Sequence, residues 1–201
     1  MSQQDQIKWD KKFSEKTELL KPREASQYLK KLELKGKDKI ALDLACGAGR
    51  HSLYLAKQGF KVFALDISEV ALRAVDALVE KEGVAAQVTT AHSDLDEFAP
   101  ELELYDLIVM SNFLDRDLIK RACVGLKEEG LFFVETYMDD PSNEKKDSNP
   151  DFLLQKGELR RLFNEDEYAV IFYEEFDNEP YEMYKMKKQV IIVKKLHLKK
   201  I

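Results

Sequence analysis

Cysteine is scarce in this sequence, and long apolar runs are absent. Cys46 and Cys123 are the only two cysteines among 201 residues. Neither belongs to a CxxC or Cys/His spacing, which excludes a disulfide-stapled scaffold and favours a reducing compartment. The three histidines, His51, His92 and His197, are scattered without the acid or thiol spacing of a metal site. No apolar stretch reaches the length of a bilayer crossing. The N-terminus, MSQQDQIKWDKKF, lacks the apolar core of a signal peptide. A cytoplasmic chain without a membrane partner is expected. Positive charge is also in deficit: Lys+Arg 32 against Asp+Glu 38 gives a net charge of -6. That balance disfavours a dedicated nucleic-acid binder. What remains is ample: 44% hydrophobic residues for a core and 35% charged residues for a surface. The length suits one domain, 36–201, preceded by an N-terminal helical segment over 1–35.

Periodicity predicts helices over 6–16 and 22–34, with Pro22 in a first turn. Short apolar runs over 39–44, 60–65, 87–91, 105–110 and 131–136 then read as strands. Helical patterns alternate with them over 50–58, 69–81 and 115–125, the second capped by Ser68. Such alternation predicts an α/β fold with a doubly wound, mostly parallel sheet. Residues 137–150 read as a polar loop and 157–163 as a short helix. No helical pattern separates the strands over 168–176 and 188–194, so they are expected to pair as an antiparallel edge hairpin.

The chemistry concentrates at Ile40–Gly49. A strand runs into Cys46-Gly47-Ala48-Gly49, and a helix starts just beyond. Glycines there let a ligand approach the backbone, and the helix start offers unpaired N–H groups. Asp66 follows the next strand nineteen residues past Gly47, a spacing suited to ribose hydroxyls. A dinucleotide motif would need a third glycine where Ser52 stands. Asp43, just before the turn, would repel a pyrophosphate but attract the cationic end of S-adenosylmethionine (SAM). Asp94 and Leu95, after the third strand, are placed to meet adenine through a carboxylate and a backbone N–H. Ser93-Asp94 equally suits a simple turn.

The motifs DLACGAG, Asp66 after FKVFAL, Asp94 after the third strand and YDLIVMSNF together resemble a class I SAM-dependent methyltransferase over residues 38–137. DLACGAGRHSLYLAKQGFKVFALDIS, the Trp9-Asp10 segment and NPDFLLQKGEL look most like the tellurite-resistance-type small methyltransferases. The resemblance implies a seven-stranded Rossmann-like sheet and SAM as cofactor. It also implies that Asp43, Gly47 and Gly49 line the methionine end, Asp66 the ribose and Asp94 the adenine; Ala45, Cys46, Ile67 and Leu95 are further cofactor-binding candidates. Ala45 departs from the family by occupying its usual first glycine position.

On the substrate side the candidates are Trp9, Phe13, Asn112, Phe113 and Tyr137. Trp9 and Phe13 share one helix face, where they either pack or form a lid. Arg116 reads as a solvated helix residue, His51 as a packing residue and Cys46 as a small residue of the turn rather than a nucleophile. No catalytic pair is evident. In-line displacement from a sulfonium draws chiefly on orientation, which can supply ~7–11 kcal/mol of the barrier. The expected function is methyl transfer from SAM to a small molecule. The alternatives are a SAM-binding protein without turnover and a nucleotide-dependent oxidoreductase.

Overall fold

The computed structural model describes residues 3–197. The chain runs α1 (Gln3–Glu15), α2 (Gln27–Lys30), β1 (Ile40–Leu44), α3 (Arg50–Lys57), β2 (Lys61–Asp66), α4 (Glu69–Lys81) and β3 (Val88–His92). It continues through β4 (Tyr105–Ser111), α5 (Arg116–Ala122), β5 (Leu126–Tyr137), α6 (Glu158–Leu162), β6 (Tyr168–Asp177) and β7 (Lys187–Lys195). The seven strands form one sheet in the order β3-β2-β1-β4-β5-β7-β6. Strands β1 to β5 pair in parallel, and β7 is antiparallel to both β5 and β6. The edge hairpin expected from the sequence is therefore present, with its second strand on the inside.

Both sheet faces are buried, so the central strands read as nearly continuous apolar runs. Leu42, Leu44, Ile108, Met110, Phe132 and Val134 face α5 and α6. Their alternating neighbours Ala41, Leu107, Val109 and Phe133 pack with Tyr28 of α2 and Leu55 of α3. Helix α4 extends that second layer, setting Leu72, Val75 and Val79 against Ala64. The Ser68 hydroxyl accepts the Ala71 N–H and caps α4 as expected.

Two expected helices are shortened. The pattern over 22–34 yields only α2, because Ser26 answers to tertiary partners. It caps α2, its backbone N–H donates to His51 Nε2 at 3.3 Å, and its hydroxyl donates to Glu135. Leu32 and Leu34 still reach the core from non-helical backbone, and Glu33 between them takes a φ of +46°. The helix over 115–125 ends at Ala122 and tightens into a 3-10 turn. Arg116 is not a solvated residue of α5. It pairs with Glu158 and donates to the carbonyls of Asp151 and Leu153 at 2.9 and 3.0 Å, tying α5 to the segment before α6. The basic tail over 194–200 extends beyond the described residues; within them, exposed His197 contacts Glu128.

Gly49 joins the turn to the packing. Its φ is +77°, and a Cβ there would lie 2.9 Å from a Val75 methyl carbon. Gly49→Ala should cost about 1–3 kcal/mol through backbone strain and overlap. Urea denaturation would measure this, and Val75→Ala in the same chain should recover part of the loss. Unchanged stability would refute the packing role.

Candidate functional site

The C-terminal ends of β1, β2, β4 and β5 open into one cleft of about 610 Å³. That volume suits a small ligand. Its floor is the turn after β1. Ala45, Gly47 and Gly49 all have left-handed backbone, with φ of +54°, +53° and +77°. The Cys46 N–H donates to the Leu65 carbonyl at 2.9 Å, and the Gly49 N–H to the Cys46 carbonyl at 3.0 Å. Asp66, ending β2, stitches the floor together. One carboxylate oxygen accepts the Gly47 N–H at 2.8 Å and the other the Ser68 N–H at 2.9 Å. Burial raises the Asp66 pKa, opposed by those two N–H groups. Over Gly47 the space is open: a Cβ would meet only the tip of Phe13, at 3.9 Å.

Helix α1 roofs this floor. Trp9 and Phe13 both line the cleft, with ring centroids 5.9 Å apart. Between them in sequence, Asp10 pins α1 to the start of α4, accepting from the Ser68 hydroxyl at 2.6 Å and the Val70 N–H at 3.2 Å.

The candidate residues divide by position. Ala45, Cys46, Gly47, Asp66, Ile67, Leu95, Trp9, Phe13, Asn112, Phe113 and Tyr137 line the cleft. Asp43, Gly49 and Asp94 do not. Asp43 lies at 1% exposure and accepts the Ser52 hydroxyl at 2.6 Å. Burial pushes its pKa up to about 7 against the pull of Ser52 and Arg50. Gly49 faces Val75. Asp94 accepts the Asp96 N–H at 2.9 Å within the turn after β3. Burial drives the Cys46 thiol well above its ordinary pKa, which suits a packing residue. His51 is buried, lines the cleft and accepts the Ser26 N–H; burial and Arg50 hold its pKa well below the ordinary value.

The opposite wall holds a charge network that sequence reasoning missed. Arg50, at the start of α3, donates to Glu179 at 3.2 Å, Tyr181 at 2.9 Å and Ser111 at 3.1 Å. It also reaches buried Glu135 at 3.5 Å. Lys188, wholly buried on β7, sits 2.8 Å from Glu179, 2.6 Å from Glu182 and 3.8 Å from Glu135. Its ammonium lies 4.8 Å from the centre of the Tyr137 ring, and the Tyr137 hydroxyl donates to Glu182. Burial alone would raise the Glu179 pKa, but its contacts with Glu182, Lys188 and Arg50 hold it well below the carboxylate range. Burial would likewise lower Lys188 and Arg50, yet their carboxylate partners raise both. Glu135 moves up, because its burial outweighs Lys188. The available signal was a charge inside each of two apolar strands, FFVETY and KKQVIIV. The network also places Tyr181, Glu182 and Met183 in the cleft wall, where 138–150 contributes nothing. Buried Asn143 ties that segment to the Met138 carbonyl at 2.8 Å and the Lys187 N–H at 2.7 Å.

Residues 41–130 match the family model described as a methyltransferase domain. The probable SAM-dependent methyltransferase TehB of Haemophilus influenzae (strain ATCC 51907 / DSM 11121 / KW20 / Rd) is 36% identical over 90 residues, covering 43% of this chain and 30% of that protein. Protein arginine N-methyltransferase 1 of Schizosaccharomyces pombe is 35% identical over 109 residues, covering 49% of this chain and 32% of that one. The crystal structure of TehB from Haemophilus influenzae superposes with a TM-score of 0.73 at 23% identity, covering 92% of this chain and 66% of that one. These alignments span less than half the length of the curated relatives. Residues 41–130 thus carry a methyltransferase domain, the chain is similar to SAM-dependent methyltransferases, TehB-type members among them, and its seven-stranded sheet shares the fold of the TehB structure.

Proposed function

We propose that the chain transfers the methyl group of SAM to a small-molecule acceptor. The observation that carries this proposal is Asp66. Its carboxylate lines the cleft beside an open glycine turn, held by two backbone N–H groups and paired with no cation among the described residues. It is therefore available to accept ribose hydroxyls. The residues fit a cofactor with a cationic methionine end. Asp43 lies beneath the turn, and the guanidinium of Arg50 is committed to Glu179 and Glu135 rather than free for a pyrophosphate.

When bound, SAM would supply a methyl carbon activated by its sulfonium, open to in-line attack by an acceptor lone pair with S-adenosylhomocysteine as the leaving group. The chain's own residues position and enclose. Ala45, Cys46 and Gly47 meet the methionine end, with Asp43 and Gly49 supporting them from below. Asp66 and Ile67 hold the ribose, and Asp94 and Leu95 serve the adenine. Trp9 and Phe13 close over the cofactor as a lid and exclude water. Asn112, Phe113 and Tyr137 face the acceptor. A cytoplasmic location rests on the two free thiols, Cys46 and Cys123.

Calorimetry is expected to show binding of SAM and S-adenosylhomocysteine, with NAD and ATP far weaker. Tight NAD binding without SAM binding would overturn the proposal. Formation of S-adenosylhomocysteine with a panel of small acceptors and arginine peptides separates turnover from binding alone, and small acceptors from proteins.

Asp43 makes binding and folding depend on pH in opposite senses. Its folded pKa, about 7, lies above the ordinary 3.8. As pH rises between those values, the unfolded chain ionises first, so this group's contribution to stability falls and then levels above 7. A cationic ligand prefers the ionised form, so its affinity should rise through the same upper limit. Asp43→Asn should flatten the stability slope and weaken SAM roughly 10-fold at pH 8. Melting curves and calorimetry at pH 5 and 8 test both. A wild-type to Asn affinity ratio that does not change with pH would remove Asp43 from the cofactor's surroundings.

A further inference from the structure

We infer that the methyl acceptor carries an anionic, carboxylate-like group on an apolar body, and that Lys12, Lys21 and Arg23 at the cleft mouth bind that group. The inference rests on the methyl-transfer proposal and deepens it. All three cations line the cleft, although the chain as a whole carries a charge of -6. None pairs with a carboxylate among the described residues. Aromatic faces place two of them instead. The Lys12 ammonium lies 4.0 Å from the centre of a Trp9 ring, and the Arg23 guanidinium 5.2 Å from that of Tyr181. Arg23 is steadied further by donating to the Glu18 carbonyl at 3.4 Å. Around Lys12 the nearby charges are also positive. After burial, Lys16, Lys145 and Lys8 lower its pKa, so an anion arriving there would relieve repulsion.

The acids of the same cleft do not neutralise this rim. Asp66 lies on the floor, where the methyl-transfer proposal assigns it to the ribose, and Glu182 is engaged by Lys188 and Tyr137. Glu18 remains, exposed, one carboxylate against three cations. Nor does the cofactor account for the rim. Its ammonium and sulfonium outnumber its single carboxylate, so a cationic mouth is on balance unsuited to it. A cleft edge of one sign instead concentrates ligands of the opposite sign. Trp9, Phe13 and Phe113 supply apolar walls for the body of such a ligand.

The test loads the intact chain with S-adenosylhomocysteine and titrates benzoate, benzamide and benzylamine by calorimetry. Benzoate should bind about 10-fold more tightly than benzamide, and benzylamine more weakly than either. The combined variant Lys12→Gln, Lys21→Gln, Arg23→Gln should erase that preference while S-adenosylhomocysteine affinity stays within about 3-fold. Lys21→Glu alone, at an exposed position, should reduce benzoate binding without a folding cost. Equal affinities, a preference for benzylamine or no benzoate binding would overturn the inference. So would a combined variant that loses S-adenosylhomocysteine and keeps the benzoate preference, because the rim would then serve the cofactor's own carboxylate. Absence of S-adenosylhomocysteine binding in the unaltered chain would instead defeat the methyl-transfer proposal, and the loading step shows this before any probe is added.

Discussion

Replacing Asp66 by Ala is expected to weaken SAM binding by about 10- to 100-fold, the equivalent of ~1.5–3 kcal/mol for a charged hydrogen-bond acceptor. The carboxylate has two duties. It faces the cleft, and it holds the Gly47 and Ser68 N–H groups that shape the floor. Asp66→Asn separates them, because its carbonyl keeps one of the floor contacts while the negative charge is lost. The Asn variant should melt close to the parent yet bind less tightly, and the Ala variant should lose both affinity and some stability. Calorimetry and thermal melts on the pair measure this. Parent-like affinity in a folded Ala variant would remove Asp66 from the ribose site.

Lys188→Met should destabilise the fold by about 3–5 kcal/mol, the usual range when one partner of a buried ion pair is lost. Methionine preserves the stem of the side chain, so the loss reports the ammonium rather than the packing. Without it, buried Glu135 and Glu179 would have Arg50 as their remaining close cation, and Glu182 would lose its partner Lys188. For a domain of this size the melting temperature should drop by roughly 6–20 °C. Adding Glu135→Gln should return part of the loss, because the network would then hold one fewer uncompensated charge. A melting temperature within about 2 °C of the parent would show that the network contributes little.

The floor of the cleft was legible as a turn because its determinants are local. The turn, the helix behind it and the nineteen-residue interval to Asp66 lie within a single strand–helix–strand unit. The bounds of α4 followed from its apolar spacing and its Ser68 cap. The second helix was overextended because Ser26 bonds to residues far along the chain, Glu135 and His51, and spacing cannot register such partners. The opposite wall was hidden for the same reason. Arg50 and Glu179 are 129 residues apart, and Glu135 and Lys188 are charges in strands whose apolar neighbours dominate the pattern. In sequence, residues 177–183 were only an acidic and aromatic stretch. Their place in the cleft follows from β6 ending, and β7 beginning, at the ligand edge of the sheet.

The position of β7 between β5 and β6 has a consequence for a chain made from its N-terminus onward. Strand β6 leaves the ribosome before β7, yet its sheet partner is β7. Until residues 187–195 emerge, β5 presents an open edge and Glu135 lacks the ammonium of Lys188. The floor and roof of the cleft are encoded in the first 137 residues, whereas the wall carrying Tyr181 and Glu182 closes only with the last strand. A nascent chain stalled before that point would expose the β5 edge to pairing with another chain. Emergence of β7 closes that edge and finishes the cleft in the same event.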